Sequence, residues 1–266
     1  SNIRQIVNII KSIEETFFAN CRCWGALNSS TYNSGPIWAM RTDIASADLN
    51  MVWNEKPLTA ADSKTISIIK NNFRENGLPF WWWVFPRARS PLTAEMLQAE
   101  GFAVVDRIPS LFTDLTASYA EQSDDRLQIK QVGDRENLAL WEEVSFAGFD
   151  FPPETRQQYN RFVHTFNLNP DSPQKYFLAF WNDKPAATSL LFLHKDTGGI
   201  YFVCTLAEDR RKGIGLSLVQ ATLRYARRAG LRFATLQSSP DGLGVYRQAG
   251  FKEYCRVDIY GLAANT

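Results

Sequence analysis

At 266 residues the chain exceeds the roughly 100–200 residues of a typical domain, so two domains are the first expectation. Its 29 Lys and Arg against 28 Asp and Glu argue against a general nucleic-acid binder, which needs a net positive surface to neutralise phosphates. With 45% hydrophobic and 21% charged residues the composition is that of a soluble globular protein.

Cys21, Cys23, Cys204 and Cys255 are too few and too scattered for a disulfide framework, and a reducing, cytoplasmic setting is expected. Cys21-Arg22-Cys23 lacks zinc-type spacing, and His164 and His194 lie far away in sequence, so no metal is expected. The start of the chain carries charged residues and no continuous apolar stretch of the secretory type. The most apolar run, residues 78–86, is about half of the ~20 residues that a membrane-spanning helix needs, so no membrane partner is expected.

In chain order, residues 65–73 have apolar spacing suited to a helix, stopped by Gly77 and Pro79. The aromatic run around Trp81-Trp82-Trp83 reads as a strand whose alternation sends Trp82 to one face and its neighbours to the other, with core burial favoured. Residues 91–100 form a second helix with Ser90 as N-cap and Gly101 past its end, and residues 102–115 are extended. Residues 117–126 are polar and aperiodic, which places a domain boundary there. The expected division is an N-terminal domain over 1–118, a linker over 119–126 and a C-terminal domain over 127–266.

Downstream, residues 127–132 alternate as a strand, and Asp134 caps a helix through Leu138, Leu140 and Trp141. Strands at 176–181 and 186–193 flank a hairpin at 182–185, and a second turn at Thr197-Gly198-Gly199 leads into a strand over 200–206. A long helix over 215–229 presents Leu216, Val219, Leu223 and Ala226 on one face. A strand over 231–238, a short helix over 242–249 and a strand over 251–260 complete the chain.

A faint repeat links the two halves. Gln98-Ala99-Glu100-Gly101-Phe102, with Arg107 and Leu111, matches Arg247-Gln248-Ala249-Gly250-Phe251, with Arg256 and Tyr260, at equal offsets. The pattern in both is helix, Gly-Phe, strand, which raises the expectation of a duplicated fold.

The strand ending near Leu206, the turn Arg210-Arg211-Lys212-Gly213-Ile214-Gly215 and the helix after it form an anion-binding arrangement. Backbone N–H groups at a helix start have no intrahelical partner, and the helix dipole adds positive potential. Gly213 and Gly215 permit a sharp turn and close approach, while Arg210, Arg211 and Lys212 bring charge. A P-loop is excluded because Lys212 precedes Gly213, and a dinucleotide fingerprint because Leu218 stands where a third glycine is needed. The competing view is that the glycines merely allow tight geometry and the basic residues are solvated.

Arg210-x-x-Gly213-x-Gly215 after a strand resembles the pyrophosphate signature of the GCN5-related N-acetyltransferase (GNAT) family. Val245-Tyr246-Arg247-Gln248-Ala249-Gly250-Phe251 resembles that family's closing helix-to-strand motif, in the same order and separation. The similarity covers roughly residues 127–262. It implies an α/β (α+β) fold, a mixed, mostly antiparallel sheet flanked by helices, with residues 200–206 splayed from 236–238 and acetyl-CoA in the opening. The duplication would make the N-terminal half a degenerate copy without the basic turn.

By the same resemblance, backbone groups of Val203, Cys204 and Thr205 would pair with the pantetheine arm, and Arg210, Arg211, Lys212, Gly213, Ile214, Gly215 and Leu216 would hold the pyrophosphate. Tyr246 sits where the family often has a tyrosine that protonates the departing thiolate; the alternative is that its ring packs under the cofactor. The sequence departs from the family where Ser239 and Gly242 replace an asparagine and an alanine, with Ser239 still able to donate a hydrogen bond. No general base is assigned, because residues 200–206 carry no acid, and Glu142, Glu143 and Asp150 read as solvated surface. Phe146, Phe149, Phe151, Tyr159 and Phe162 either line an acceptor pocket or pack between helices, and Cys204 reads as an ordinary apolar strand residue.

The expected activity is transfer of acetyl from acetyl-CoA to a primary amine of a small molecule. The rival readings are a noncatalytic sensor or scaffold that binds acetyl-CoA or CoA, and a peptide or protein N-acetyltransferase.

Overall fold

The computed structural model describes residues 2–28, 30–116, 119, 121 and 124–263. Residues 117, 118, 120, 122 and 123, which belong to the expected boundary segment, lie outside the described residues. The chain forms two compact units, one made of Ser1–Pro109 with Cys255–Thr266 and the other of Ser110–Tyr254. Each unit's sheet therefore includes a strand segment from the opposite half of the sequence. Among the described residues no helix is long and apolar enough to cross a membrane.

The first unit begins with α1 (Ile3–Asn28), continues through β1 (Thr31–Ser34), β2 (Ile37–Met40) and β3 (Met51–Asn54), and crosses by α2 (Ser63–Glu75) to β4 (Trp81–Val84). Next come α3 (Pro91–Ala99) and β5 (Phe102–Asp114), whose second half lies in the other unit. β1, β2 and β3 are antiparallel, β4 is parallel to β3, and the last strand of the chain, β11 (Lys252–Leu262), runs antiparallel to β4 through Asp258–Tyr260. Ser90 caps α3 by accepting the Thr93 N–H at 3.0 Å.

The tryptophan run alternates as the pleat requires. Trp82 is fully buried in the core formed with α2 and α3, among Ile66, Ile69, Phe73 and Leu97. Trp83 faces the opposite way, 4.8 Å from the Phe17 ring of α1. The buried positions Ile13, Phe17, Cys21 and Trp24 recur at helical spacing and form the inner stripe of α1.

The second unit contains β6 (Leu127–Gln131), α4 (Arg135–Gly148), α5 (Arg156–His164), β7 (Gln174–Trp181), β8 (Lys184–His194) and β9 (Thr197–Thr205). It continues with α6 (Ile214–Arg228), β10 (Phe233–Gln237) and α7 (Leu243–Gln248). The antiparallel run β6 to β9 is followed by a parallel β9–β10 step bridged by α6, and residues 110–114 of β5 pair antiparallel with β10. Asp134 caps α4 by accepting the Asn137 N–H at 2.8 Å. Leu218, Val219, Leu223 and Ala226 of α6 pack on Phe177, Ala187, Leu191 and Leu236 of the sheet.

One expected turn is displaced. The chain reverses at Lys195, which adopts φ 53°, and Thr197-Gly198-Gly199 already belongs to β9. The two glycines serve close packing in the strand: a Cβ on Gly198 would lie 2.8 Å from Leu191 Cδ1, and one on Gly199 would lie 2.6 Å from the Tyr201 ring. The sequence repeat has a structural counterpart, since Gly101 and Gly250 end α3 and α7 with φ 89° and 98°. The phenylalanines after them, Phe102 and Phe251, are both buried at the start of the next strand.

Glu14 of α1 is fully buried, and its Oε2 accepts the Arg87 N–H at 3.2 Å. Burial pushes its carboxyl up to about 7, opposed by that N–H and by Arg87 and Arg89. The folded state thus holds a proton that the unfolded state releases near 4.5, so stability falls as pH rises from there to about 7 and then levels. We expect Glu14→Gln to remove this loss, raising stability at pH 8 by up to about 3 kcal/mol while leaving pH 4 little changed. Urea unfolding at both pH values checks it; a wild type whose stability is flat over this range contradicts it.

Candidate active site

The parallel pairing of β9 with β10 covers Thr197–Phe233, Gly198–Ala234 and Gly199–Thr235 and then stops, although β9 runs on to Thr205. From Ile200 onward β10 supplies no partner to β9. On its other side β9 stays paired with β8, with a shift in register between Thr188 and Leu190. At that irregularity Phe202 adopts φ 53°, an uncommon conformation for a residue with a bulky side chain, and its carbonyl accepts the Thr188 hydroxyl at 2.8 Å. Meanwhile β10 is held in full register from Phe233 to Gln237 by residues 110–114. The result is a cleft between two strands with main-chain groups along one wall.

Val203, Cys204 and Thr205 lie on that wall. The Cys204 side chain is buried against α4, with Sγ 3.2 Å from Thr188 Oγ1 and 3.9 Å from the Val144 carbonyl. Burial pushes its thiol up to about 11, the opposite of activation to a thiolate. Gly148 at the end of α4 permits this contact, since a Cβ there would lie 2.6 Å from Cys204 Sγ.

The chain leaves β9 through a 3-10 turn, Ala207–Asp209, and enters α6 through Gly213 at φ 78°. No side chain caps α6, so its first-turn N–H groups are available. A Cβ on Gly213 would meet nothing within 4 Å, which leaves the approach to that helix start open. Gly215 is closer to the strand, with a Cβ position 3.4 Å from Thr205 Oγ1, and Ile214 anchors the turn in the core as Leu216 packs at its edge. The three basic side chains differ. Arg210 Nε donates to the Thr205 carbonyl at 3.2 Å, and Lys212 is tied to the Glu208 carbonyl at 3.1 Å and Asp209 at 3.3 Å. Arg211, at φ 63°, is exposed and makes no ion pair among the described residues.

Tyr246 belongs to the same unit's core, where its ring meets Phe251 edge-on at 6.0 Å. Its phenol has no hydrogen-bond partner among the described residues, and burial, then the Cys204 charge, holds its ionisation far above the usual range. It therefore stays protonated at neutral pH and above. Ser239 opens the short 3-10 turn Pro240–Gly242 and accepts the Gly242 N–H through its carbonyl at 3.1 Å, leaving its hydroxyl uncommitted. Glu142 departs from the sequence reading: it is buried, ion-paired with Arg156 and accepts both hydrogen bonds of the Asn160 amide at 3.0 Å. Both of its oxygens are thus committed to Arg156 and Asn160 in a buried network. Glu143 and Asp150 are exposed.

Residues 137–251 match the model of the Acetyltransferase (GNAT) family. Residues 137–251 form a GNAT-family acetyltransferase domain. The chemistry of that family is acyl transfer from acetyl-CoA. The GNAT domain's fold, together with the first unit, is similar to a GCN5-related N-acetyltransferase from Kribbella flavida, at 18% identity and a TM-score of 0.70, covering 94% of this chain and 96% of that one. A GCN5-related N-acetyltransferase from Sphaerobacter thermophilus shares 17% identity with a TM-score of 0.61 over 85% of this chain and 76% of that one. A tandem GNAT protein from the clavulanic acid biosynthesis pathway shares 14% identity with a TM-score of 0.56 over 86% and 83%. At these identities the likeness is one of fold. No curated protein matches the sequence. Among the described residues no group of His, Cys, Asp or Glu is placed to hold a metal ion.

The GNAT domain also accounts for Gly242, the residue that departs from the family pattern. A Cβ there would lie 2.8 Å from Tyr246 Cε2 and 3.2 Å from Ser238 Oγ, so the missing side chain makes room for the tyrosine ring. We expect Gly242→Ala to cost about 1–3 kcal/mol in urea unfolding. In a Tyr246→Leu background the same change should cost under about 0.5 kcal/mol, because the clashing ring is gone. Equal costs in both backgrounds would show that the ring is not what excludes a side chain.

Proposed function

We propose that the GNAT domain transfers acetyl from acetyl-CoA to a primary amine of a small molecule. The observation that carries this reading is that the β9–β10 cleft leads directly to the uncapped start of α6. A linear thioester cosubstrate with an anionic pyrophosphate suits that path. Main-chain groups at Val203, Cys204 and Thr205 would take the pantetheine amides as an added strand does. The N–H groups from Arg211 to Leu216, with the Arg211 guanidinium, would hold the pyrophosphate, while Arg210 and Lys212 brace the turn. Ser239 Oγ would donate from the β10 side.

A main-chain N–H on the open wall of β9 would stabilise the oxyanion formed as the amine attacks the thioester carbonyl. The carbon–sulfur bond then breaks as Tyr246 would protonate the departing sulfur, and the proton lost by the attacking nitrogen would return through solvent to the phenolate, leaving the amide and CoA thiol. No carboxylate on β9 serves as base.

The first unit supports a single cosubstrate site per chain. Its β3–α2–β4 step repeats the β9–α6–β10 plan, yet β3 ends at Asn54, one residue past its last pair Trp53–Trp83, so no strand runs on to offer an open wall, and Trp82 Nε1 donates to Asn54 Oδ1 at 3.0 Å. At the approach to α2, the Thr59 N–H donates to the Asp62 carboxylate at 2.8 Å, which fills an anion's place with the protein's own charge. We read this unit as a degenerate copy that stabilises the GNAT domain.

Calorimetric titration of acetyl-CoA is expected to give a stoichiometry of one, with affinity lowered at least about tenfold in Arg211→Ala. Asp62→Ala, in the first unit, should leave affinity and stoichiometry unchanged. Saturable binding without release of CoA thiol to any amine would favour the sensor reading, and absence of wild-type binding would overturn the site.

A further inference from the structure

We infer that the acceptor amine carries an aromatic or similarly flat apolar group, and that Phe146, Phe149 and Phe202 select it; this rests on the acyl-transfer reading above. The aromatic side chains around α4 and α5 divide into two sets. Trp141, Phe151, Tyr159, Phe162 and Phe166 are buried and hold the helices on the sheet. Phe149 is 38% exposed, and Phe146 and Phe202 are half-buried. Phe202 packs on Trp141 at 5.4 Å and Phe146 on Tyr159 at 5.5 Å, so these two rings are held by the first set while Phe149 keeps the most open face.

Those three rings share one place. Phe149 meets Phe202 edge-on at 5.6 Å, and Phe149 and Phe146 lie 5.7 and 6.0 Å from Phe151, which backs both. Phe202 belongs to the stretch of β9 beyond its last pair with β10, adjacent in sequence to the wall residues Val203 and Cys204. The tight approach of Gly148 to Cys204 brings the end of α4 onto that strand, so the ring patch borders the wall where the thioester would lie. Phe202 holds its position at φ 53°, a left-handed conformation uncommon for a bulky side chain.

Charge selects among amines that could use such a patch. Asp150, next to Phe149, and Glu143, one turn before Phe146 on α4, are exposed and make no ion pair among the described residues. The cation nearest the rings, Arg156 at 5.0 Å from the Phe146 centroid, is neutralised by buried Glu142. A cationic amine is attracted there, whereas a carboxylated or phosphorylated acceptor gains nothing. The ring faces offer stacking area and few hydrogen-bond partners, so an apolar amine is favoured over a polyhydroxylated one, whose hydroxyls would lose water unpaired.

The test compares 2-phenylethylamine and tryptamine with glucosamine and putrescine as acceptors, following CoA thiol release, in the wild type and in Phe149→Ala. Phe149 is exposed, so truncation should leave the fold intact, and calorimetry with acetyl-CoA reports the cosubstrate site separately. The expected result is a kcat/KM for 2-phenylethylamine at least about tenfold above that for glucosamine. In Phe149→Ala that ratio should fall about tenfold, chiefly through KM, with acetyl-CoA affinity unchanged. Turnover of glucosamine or putrescine as fast as the aryl amines, or equal losses for all acceptors in Phe149→Ala, would overturn the inference and leave acyl transfer standing. Acetyl-CoA binding with no turnover of any amine would overturn both.

Discussion

The central constraint in the GNAT domain is a strand that parts from its neighbour. β9 and β10 pair only as far as Gly199 and Thr235. Main-chain N–H and C=O groups left inside a sheet without partners carry a cost comparable to lost hydrogen bonds, so the opening must be met by solvent or ligand. Three local features maintain it. The register shift at Thr188 and Leu190 turns β9, Thr188 secures the Phe202 carbonyl, and residues 110–114 hold β10 on its far side. Arg210 then ties the following turn to Thr205, so the end of the strand and the start of α6 are fixed in relation to each other.

The first unit follows the same element order with shorter strands. Its parallel pair also ends after three residue pairs, at Trp53 and Trp83, but β3 stops one residue later at Asn54, whose side chain accepts the Trp82 Nε1–H. The carboxylate of Asp62 occupies the approach to α2, whereas the approach to α6 has Gly213 in a left-handed conformation and no cap. One element order thus carries a long strand that outruns its partner and an uncapped helix start in one unit, and a short strand with a carboxylate at the helix approach in the other.

Much of the GNAT domain was legible because its signals are local. The α6 stripe, the Asp134 cap, the hairpin at residues 182–185 and the glycines Gly213 and Gly250 each follow from short-range sterics and periodicity. The first half was harder to read. α1 carries the buried polar residues Glu14, Thr16 and Asn20 on a helix that also holds the aromatic stripe, and β1, β2 and β3 are too short for alternation to register. Within the site, Glu142 looked like surface because its partners, Arg156 and Asn160, come from another helix. Nothing in the residue type announces the left-handed conformation of Phe202 or the close contact of Gly148 with Cys204. Long-range pairing, such as residues 110–114 completing the second unit's sheet, leaves no mark in local composition.

Hydrogen exchange with and without saturating acetyl-CoA tests the parted-strand account most directly, because it reads the main-chain groups themselves. The account predicts slowed exchange at residues 200–205 and 211–217, with residues 51–63 of the first unit unaffected. Saturable binding that leaves the β9 wall and the start of α6 unprotected, or that protects the first unit in their place, would contradict it.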